Sequence, residues 1–235
     1  GVTATTAELN IMDGVTATAA EINLIDGGTA RGTTAIVDAD GVLINDAGTM
    51  RMTTVATLAT YMGTKIGGGM EFIASSGELS SAATVSFTGF DSSKYDSYVF
   101  NLYYVKPATD AQKLYAYAST NGGGAYDSTS GNYKQSAVND TAAFSIHPSD
   151  NAGNNTNEYG VYGSLTITKP HASAYTSARA ATSVYTTNNY LYTGADGDAQ
   201  SSAYRSTSEV NAVQFKFGSG NIASGEITMF GIVNS

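Results

Sequence analysis

The chain has 235 residues and a formal net charge of −9, which leaves room for one substantial domain of about 100 to 200 residues and an additional segment. It has no cysteine, so disulfides and thiolate metal sites are excluded. The negative net charge disfavours a nucleic-acid partner, because Lys and Arg bind the phosphates of nucleic acids. No apolar run approaches the about 20 residues of a membrane helix, so we expect no membrane insertion either.

The chain opens with a tandem repeat. Residues 1–13 read GVTATTAELNIMD and residues 14–26 read GVTATAAEINLID. In the first copy, Thr5 and Glu8 have the spacing of a capping box, in which each side chain binds a free backbone N–H at the start of a helix. The second copy repeats this spacing, so the sequence predicts two short helices.

Each predicted helix is followed by a glycine, Gly14 or Gly27, at the position that favours a left-handed cap. Helices of about two turns are shorter than the ~12–15 residues that are marginally stable in water. Each repeat also holds too few aliphatic side chains to enclose a core within one chain. We therefore expect the repeats to pack with symmetry-related copies of the chain; a small helical hairpin lying on the downstream domain is the alternative.

A hairpin and a third helix are predicted after the repeat. Residues 33–44 have the pattern of two strands joined by a turn at Asp40 and Gly41, following the Asp-Gly preference of tight hairpins. Residues 53–62 have the pattern of a helix. Together with the repeat, these elements predict an N-terminal region that is built from short, locally encoded pieces.

The third predicted helix carries Val55, Leu58 and Met62 at the spacing of one coiled-coil heptad. Three consecutive glycines follow it, and they form a flexible joint at which the composition changes. We therefore place a domain boundary at this joint. The sequence predicts a repetitive domain over residues 1–69 and a second domain over residues 70–235.

The second domain has the pattern of an all-β fold, because short runs with period-two alternation lie between turn-rich loops. The alternating residues predicted to share one face of these strands are Phe100, Leu102, Tyr104, Leu114, Ala116, Ala118, Val213, Phe215 and Phe217. A final strand runs through Ile227, Met229 and Ile232. Roughly eight or nine strands are expected, enough for an antiparallel β-sandwich of jelly-roll type. The predicted fold class is therefore mainly β.

Three long loops of this domain mix tyrosine with small polar residues, a composition typical of adaptable recognition surfaces. They span residues 119–133, 148–159 and 186–204. A tyrosine ring can stack on a sugar while its hydroxyl forms a hydrogen bond. The tyrosines predicted to contact a cell-surface glycan are Tyr126, Tyr133, Tyr159, Tyr162, Tyr190 and Tyr192. A structural role is expected for those within predicted strands, which are Tyr98, Tyr103, Tyr104, Tyr115 and Tyr117.

The residue identities resemble those of a known class of proteins. The tandem unit GVTAT-x-AE-[LI]-N-x-[MI]-D-G, followed by GVLINDAGTMRMTTVATLATYM, resembles stalk segments in tail fibres and other structural proteins of bacteriophages, marine ones especially. This resemblance covers residues 1–66. The segments ASTNGGGAY at 118–126 and GSGNIASGEITMFGI at 218–232 are similar to segments that end such proteins.

The resemblance implies a homotrimer exposed on the virion surface, with an interwound stalk of short-helix repeats and a distal C-terminal head used for host attachment. The residues then expected at the trimer interface are Leu9, Met12, Val15, Ile22, Ile25, Val55, Leu58 and Met62. Because the sequence begins at Gly1 and not at Met, we expect a preceding region that binds other virion proteins. That region would determine whether the appendage is a tail fibre, a neck or baseplate fibre, or a capsid fibre.

Little in the sequence indicates catalysis. His147 and His171 each neighbour a proline and are expected at the surface. The chain has no G-x-S-x-G nucleophile motif and no H-E-x-x-H zinc motif. Acidic residues occur mostly in turn-like settings, where Asp favours bonds to its own backbone. We therefore expect a protein that is not an enzyme and has no cofactor.

Two acidic patterns resemble calcium-binding sequences, one at residues 38–46 and one at residues 196–198. Both lack the ligand series of an EF-hand loop, so they are interpreted as turns and no metal site is assigned. The sequence thus favours a fibre protein whose head attaches to a host-surface glycan or protein. A purely structural virion appendage and a surface polysaccharide depolymerase are the alternatives.

Overall fold

A computed structural model describes the chain over residues 1–19, 21–22, 32–65, 69–135, 140–147, 151–187, 191–193 and 200–233. The chain divides into two compact units, Gly1–Gly63 and Thr64–Ser235. We call them the N-terminal unit and the C-terminal unit and describe each by itself.

The N-terminal unit begins with helix α1, Thr6–Ile11, and its predicted capping box is confirmed. The Glu8 carboxylate accepts a hydrogen bond from the Thr5 N–H at 2.7 Å, and the Thr5 hydroxyl accepts one from the Glu8 N–H at 3.3 Å. In the second copy, the Glu21 carboxylate accepts from the Thr18 N–H at 2.7 Å. Both copies therefore satisfy backbone N–H groups that a helix start leaves free.

The hairpin lies further along the chain than the sequence predicts. Strands β1, Gly41–Asp46, and β2, Thr49–Thr54, pair antiparallel. The turn consists of Ala47 and Gly48, which both have positive φ, the conformation of a tight type I′ turn. The turn predicted at Asp40 and Gly41 is therefore wrong: the Asp40 carboxylate instead accepts a hydrogen bond from the Val37 N–H at 2.9 Å.

Helix α2, Val55–Lys65, confirms the predicted third helix and extends three residues beyond its predicted end. The Thr54 hydroxyl accepts a hydrogen bond from the Thr57 N–H at 3.2 Å, so it caps the first turn. At the other end, Lys65 places a positive charge where the helix dipole is negative. None of the helices that the structure describes has the length and apolar character that a membrane crossing requires.

The N-terminal unit has little interior of its own. None of its described residues is buried. Of the residues predicted at the trimer interface, Val55 and Leu58 are half-buried, and the exposed ones are Leu9, Met12, Val15, Ile22 and Met62. Ile25 and Gly27 lie outside the described residues.

The C-terminal unit is mainly β, and the described strands pair antiparallel. Its strands are β3 Met70–Ser75, β4 Val85–Phe87, β5 Tyr95–Pro107, β6 Leu114–Ser119, β7 Tyr133–Gln135, β8 Asp140–Thr141, β9 Phe144–Ser145, β10 Val161–Thr168, β11 Thr176–Tyr185, β12 Leu191–Thr193, β13 Gln200–Tyr204, β14 Ala212–Phe217 and β15 Ile222–Val233. Nine of these strands form a large sheet in the order β3-β15-β5-β10-β11-β13-β7-β8, with β12 also paired to β11. Four form a small sheet in the order β4-β14-β6-β9.

Strand order in the two sheets is consistent with the predicted jelly-roll sandwich. The large sheet contains β3-β15-β5-β10 and the small sheet is β4-β14-β6-β9, so most chain neighbours lie in opposite sheets, as in two joined Greek keys. Strands β7 and β8 are inserted between β6 and β9, and strands β11 to β13 are inserted between β10 and β14. These insertions widen the large sheet.

The core lies between the two sheets. Phe100 of the large sheet packs against Phe87 and Phe215 of the small sheet, with ring centroids 5.5 and 5.3 Å apart. Alternation in β14 is as predicted, because Val213, Phe215 and Phe217 are buried while the residues between them are half-exposed. Burial of such side chains is the main favourable term in folding.

Candidate functional site

Strand β5 carries an irregularity that exposes two consecutive tyrosines. Residues before this point alternate between core and solvent, but Tyr103 and Tyr104 are both exposed before Val105 returns to the core. Tyr104 has a φ of +50°, and the register shifts against β10 on one side and β15 on the other. Such an extra residue is a β-bulge, a device that redirects a side chain.

Glycines on both sides of this bulge make it possible. A Cβ at Gly225 of β15, where φ is +114°, would lie 2.7 Å from the Tyr104 carbonyl oxygen. A Cβ at Gly160, where φ is +70°, would overlap the Val105 carbonyl oxygen. Only glycine combines a positive φ with such close backbone approach at low cost, so these residues fix the conformation that exposes Tyr104.

Tyr104 joins three other tyrosines in one cluster at the surface. Its ring centroid lies 5.6 Å from that of Tyr159 and 5.5 Å from that of Tyr162, and Tyr159 lies 5.6 Å from Tyr185. The four side chains line an open cleft of about 440 Å³. We call them the tyrosine cluster. Tyr104 and Tyr159 are each 54% exposed, so two rings are available to a ligand.

The loop that carries Tyr159 is fixed by its own hydrogen bonds. The Asn155 N–H donates to one Glu158 carboxylate oxygen at 2.7 Å, and the Asn155 side-chain amide donates to the other at 3.1 Å. Lys106 donates to the Asn155 carbonyl at 2.8 Å, and the Gly153 N–H donates to the Tyr185 carbonyl at 2.8 Å. The cluster is therefore preorganised, which lowers the entropy cost of binding.

A second cleft of about 360 Å³ adjoins the first on the large sheet and shares Tyr104 and Tyr162 with it. Asn101 and Ser164 pair in register across β5 and β10. Their neighbours in the strands, such as Leu102 and Leu165, are buried, so alternation places Asn101 and Ser164 on the solvent face. Among the described residues, those that line the two clefts are uncharged.

Two of the tyrosines predicted to contact a ligand, Tyr159 and Tyr162, belong to the cluster. Tyr133 does not, and its assignment is wrong, because it is fully buried. Tyr126 is half-buried beside Gly123 and lines neither cleft. Tyr190 and the side chain of Tyr192 lie outside the described residues, although the Tyr192 backbone pairs with Val184 in β11.

Tyr133 instead anchors the loop at residues 119–133. Its hydroxyl donates to the Asp127 carbonyl at 2.7 Å and accepts from the Ala118 N–H at 2.9 Å, and burial raises the pKa of Tyr133. The Asp127 carboxylate accepts from the Tyr204 hydroxyl at 2.8 Å. Burial opposes ionisation of Asp127, but hydrogen bonds led by the one from the Thr129 N–H outweigh it and hold the pKa of Asp127 below its ordinary value.

Neither histidine is a freely exposed surface residue, contrary to the expectation from sequence. His147 is buried and accepts a hydrogen bond from the Leu114 N–H at 2.9 Å. His171 is largely covered, with Nδ1 2.6 Å from the Glu209 carboxylate and Nε2 3.1 Å from the Tyr98 hydroxyl. Both nitrogens of His171 therefore have partners, and Nε2 contacts the hydroxyl of Tyr98, whose pKa is raised to about 12 by burial.

The first acidic pattern, at residues 38–46, lies in the described part of the chain, where its groups make local contacts. The Val55 N–H donates to the Asp40 carbonyl at 2.9 Å and the Ala56 N–H to the Asp38 carbonyl at 3.1 Å, while Asp46 pairs with Arg51 at 2.9 Å. The second pattern, at residues 196–198, lies outside the described residues. Within the described residues, no cluster of three or more His, Asp or Glu could hold a metal ion.

Sequence reasoning missed Tyr104 and Tyr185 as members of the site. Tyr104 was expected to share the face of Phe100 and Leu102, but the bulge turns it outward. A signal was present in the sequence: glycines inside an apparent strand, such as Gly163 and Gly225, indicate a bulge or a close backbone approach. Without the pairing register, however, the strand that bulges could not be identified.

No protein-family model matches the chain, and the search of curated proteins found no match.

Proposed function

We propose that the chain is part of a trimeric, non-enzymatic virion fibre whose head attaches to a glycan on the host surface. The tyrosine cluster carries this proposal: four tyrosines from three segments form a rigid, open cleft with two exposed rings. Stacking of aromatic faces on sugars and hydrogen bonding of tyrosine hydroxyls are both available there. The resemblance of residues 1–66 to bacteriophage stalk segments supports the virion as the location.

Trimer formation is supported by the exposed apolar side chains of the N-terminal unit. Ile11, Ile36 and Met52 are each more than 70% exposed, and α1 has only six residues. Isolated helices of that length are unstable in water, and no described side chain of this unit is buried within the single chain. Three copies that share one interior would cover this surface. The partners of such a fibre would include other virion proteins.

The test of attachment uses the full chain, labelled with a fluorophore, and a panel of marine bacterial cells together with the glycans extracted from them. We expect binding to a subset of cells and competition by their extracted glycans. The double variant Tyr104→Ala with Tyr159→Ala should lose binding by at least about tenfold, the effect of ~1.4 kcal/mol. The matched control is Tyr175→Ala, since Tyr175 is 58% exposed and lines neither cleft.

Two results would refute this function. The chain could bind none of the cells or glycans, or the double variant could bind as well as the control. The same incubations test the depolymerase alternative, because an enzyme would release reducing ends from the extracted polysaccharide. We expect no release above that of a heat-denatured sample.

A purely structural appendage is the second candidate, and an exposed apolar patch favours it. Phe72 of β3 is 59% exposed and meets Phe230 of β15 edge-on, with ring centroids 5.7 Å apart. Met70, on the same strand, is also exposed. Contiguous apolar surface of this kind is typical of protein contacts. If the head serves only to dock another virion protein, Phe72→Ser should prevent incorporation into virions and the tyrosine double variant should have no phenotype.

A further inference from the structure

The two clefts of the C-terminal unit adjoin each other, and we call them together the groove. The first is lined by the tyrosine cluster and the second by Asn101, Tyr103, Ser164 and neighbouring backbone, and Tyr104 and Tyr162 belong to both. A ligand that fills the first cleft therefore lies next to the second. Each cleft is within the ~300–1,000 Å³ typical of small-molecule sites.

The two parts of the groove offer different chemistry. The first presents aromatic faces, with Tyr159 between Tyr104 and Tyr185. The second presents the amide of Asn101 beside the hydroxyl of Ser164, which are paired across β5 and β10. Aromatic faces favour the C–H side of a sugar ring, whereas an amide and a hydroxyl favour its hydroxyl groups. The arrangement suits successive sugar units of one oligosaccharide.

Charge restricts the ligand further. The described residues that line the groove are uncharged, and Lys106, whose ammonium donates to the Asn155 carbonyl at 2.8 Å, lines neither cleft. The chain as a whole carries a net charge of −9, which repels polyanions at long range. A sulfated or uronic-acid polymer would therefore find no counter-charge in the groove.

We infer that the groove binds a neutral oligosaccharide of at least two sugars, one stacked in the tyrosine cluster and the next hydrogen-bonded to Asn101 and Ser164. This inference rests on the proposed glycan attachment and specifies its ligand. Tyr104, which borders both clefts, is the central contact, and the Gly160 and Gly225 backbone sets its position. Asn101 determines whether the second sugar is recognised.

The experiment is binding of the full chain to an array of neutral and acidic glycans from one to six units, followed by titration of the best neutral series. We expect neutral glycans of two or more units to bind at least about tenfold more tightly than their monosaccharides. Tyr104→Ala should reduce binding at every length by about tenfold or more, the scale of a lost aromatic anchor. Asn101→Ala should weaken only the longer glycans, about three- to tenfold, and Tyr175→Ala should change nothing.

The possible failures are distinct. Equal affinity for monosaccharides and longer glycans, a preference for acidic glycans, or an equal effect of Asn101→Ala at all lengths would overturn the inference and leave glycan attachment standing. If the unaltered chain binds no glycan, both the inference and the proposed glycan attachment are overturned. Circular dichroism of Asn101→Ala and Tyr104→Ala checks that both variants are folded normally. Retained binding by Tyr104→Ala would place the site elsewhere on the chain.

Discussion

The two units of the chain reach ordered secondary structure in different ways. In the N-terminal unit, nearby residues explain each element: a capping box at Thr5 begins α1, a tight turn at Ala47 and Gly48 joins β1 to β2, and a Thr54 cap begins α2. In the C-terminal unit, the strands are held by a shared core in which side chains such as Phe100 and Phe215 are completely buried. Secondary structure therefore depends mainly on neighbouring residues in the N-terminal unit and on contacts between distant residues in the C-terminal unit.

This difference indicates where the stability of each unit comes from. Ordering a residue costs about 1–2 kcal/mol of conformational entropy, and a single backbone hydrogen bond offsets only about 1 kcal/mol net. The C-terminal unit recovers the rest by burying apolar surface. The N-terminal unit buries no described side chain in one chain, and under the proposed trimer, contacts with further copies would supply the missing apolar burial.

The largest effect is expected where a charge enters the proposed shared interior. Leu58→Asp should convert an assembly of three chains into single chains, because a carboxylate would have to be buried without a partner. Sedimentation equilibrium measures this directly, and the melting temperature of the C-terminal unit should stay unchanged. The control is Thr60→Asp, two residues along α2 and about 200° around it. Assembly that survives Leu58→Asp would place the interface elsewhere.

The next largest effect, a loss of stability, is expected from a cavity in the core of the C-terminal unit. Phe100→Ala should lower its free energy of unfolding by ~3–5 kcal/mol, since the ring contacts Phe87 and Phe215 and is fully buried. Urea denaturation measures the change. The exposed Phe72 provides the control: Phe72→Ala should cost less than about 1 kcal/mol. Similar costs at both positions would contradict the assignment of the core.

A smaller effect tests the glycine that supports the bulge. Gly160→Ala should destabilise by about 1–2 kcal/mol for its positive φ and by a further ~1–3 kcal/mol for overlap with the Val105 carbonyl. Gly77→Ala is the matched control, because Gly77 also has a positive φ but a Cβ there meets nothing within 4 Å. Thermal unfolding of both variants isolates the overlap. Equal destabilisation would mean that the close approach is unimportant.

The smallest effect concerns Asp127, whose pKa is lowered by its hydrogen bonds. A carboxylate with a lowered pKa stabilises the fold above its unfolded pKa of about 4, and this contribution is lost as the pH falls through the folded value. Asp127→Asn should therefore cost about 1–2 kcal/mol at pH 7 and progressively less below pH ~4. Melting temperatures at several pH values measure it, with the exposed Glu78→Gln as control. A cost that does not change with pH would exclude the ionised form as the cause.

Sequence alone predicts the local features of this fold well. The Thr5 capping box needs only a three-residue spacing, and the alternation of Val213, Phe215 and Phe217 needs only one strand, so both were recognised. The hairpin turn was misplaced because Asp40-Gly41 is a stronger two-residue signal than Ala47-Gly48. The Asn45 side chain, which accepts a hydrogen bond from the Gly48 N–H at 2.7 Å, supports the turn that forms.

The candidate site was predicted only in part. Tyr159 and Tyr162 were found from loop composition, since exposed tyrosines in polar loops are typical of recognition surfaces. Tyr133 lies in an equally polar stretch yet is buried, because its hydroxyl finds the Asp127 carbonyl and the Ala118 N–H inside the fold. The place of Tyr104 in the cluster depends on a bulge, and that of Tyr185 depends on strand register. Both result from pairing between distant strands, which no single segment of the sequence encodes.

The central proposal is that the described part of the N-terminal unit is ordered only when several copies of the chain share one interior. Hydrogen–deuterium exchange of the full chain, measured over a dilution series together with its sedimentation coefficient, tests it most directly. We predict a trimer at high concentration with protected amides in α2, and loss of that protection on dissociation, while protection in β5 and β14 persists. A single chain in solution with α2 still protected would contradict the account.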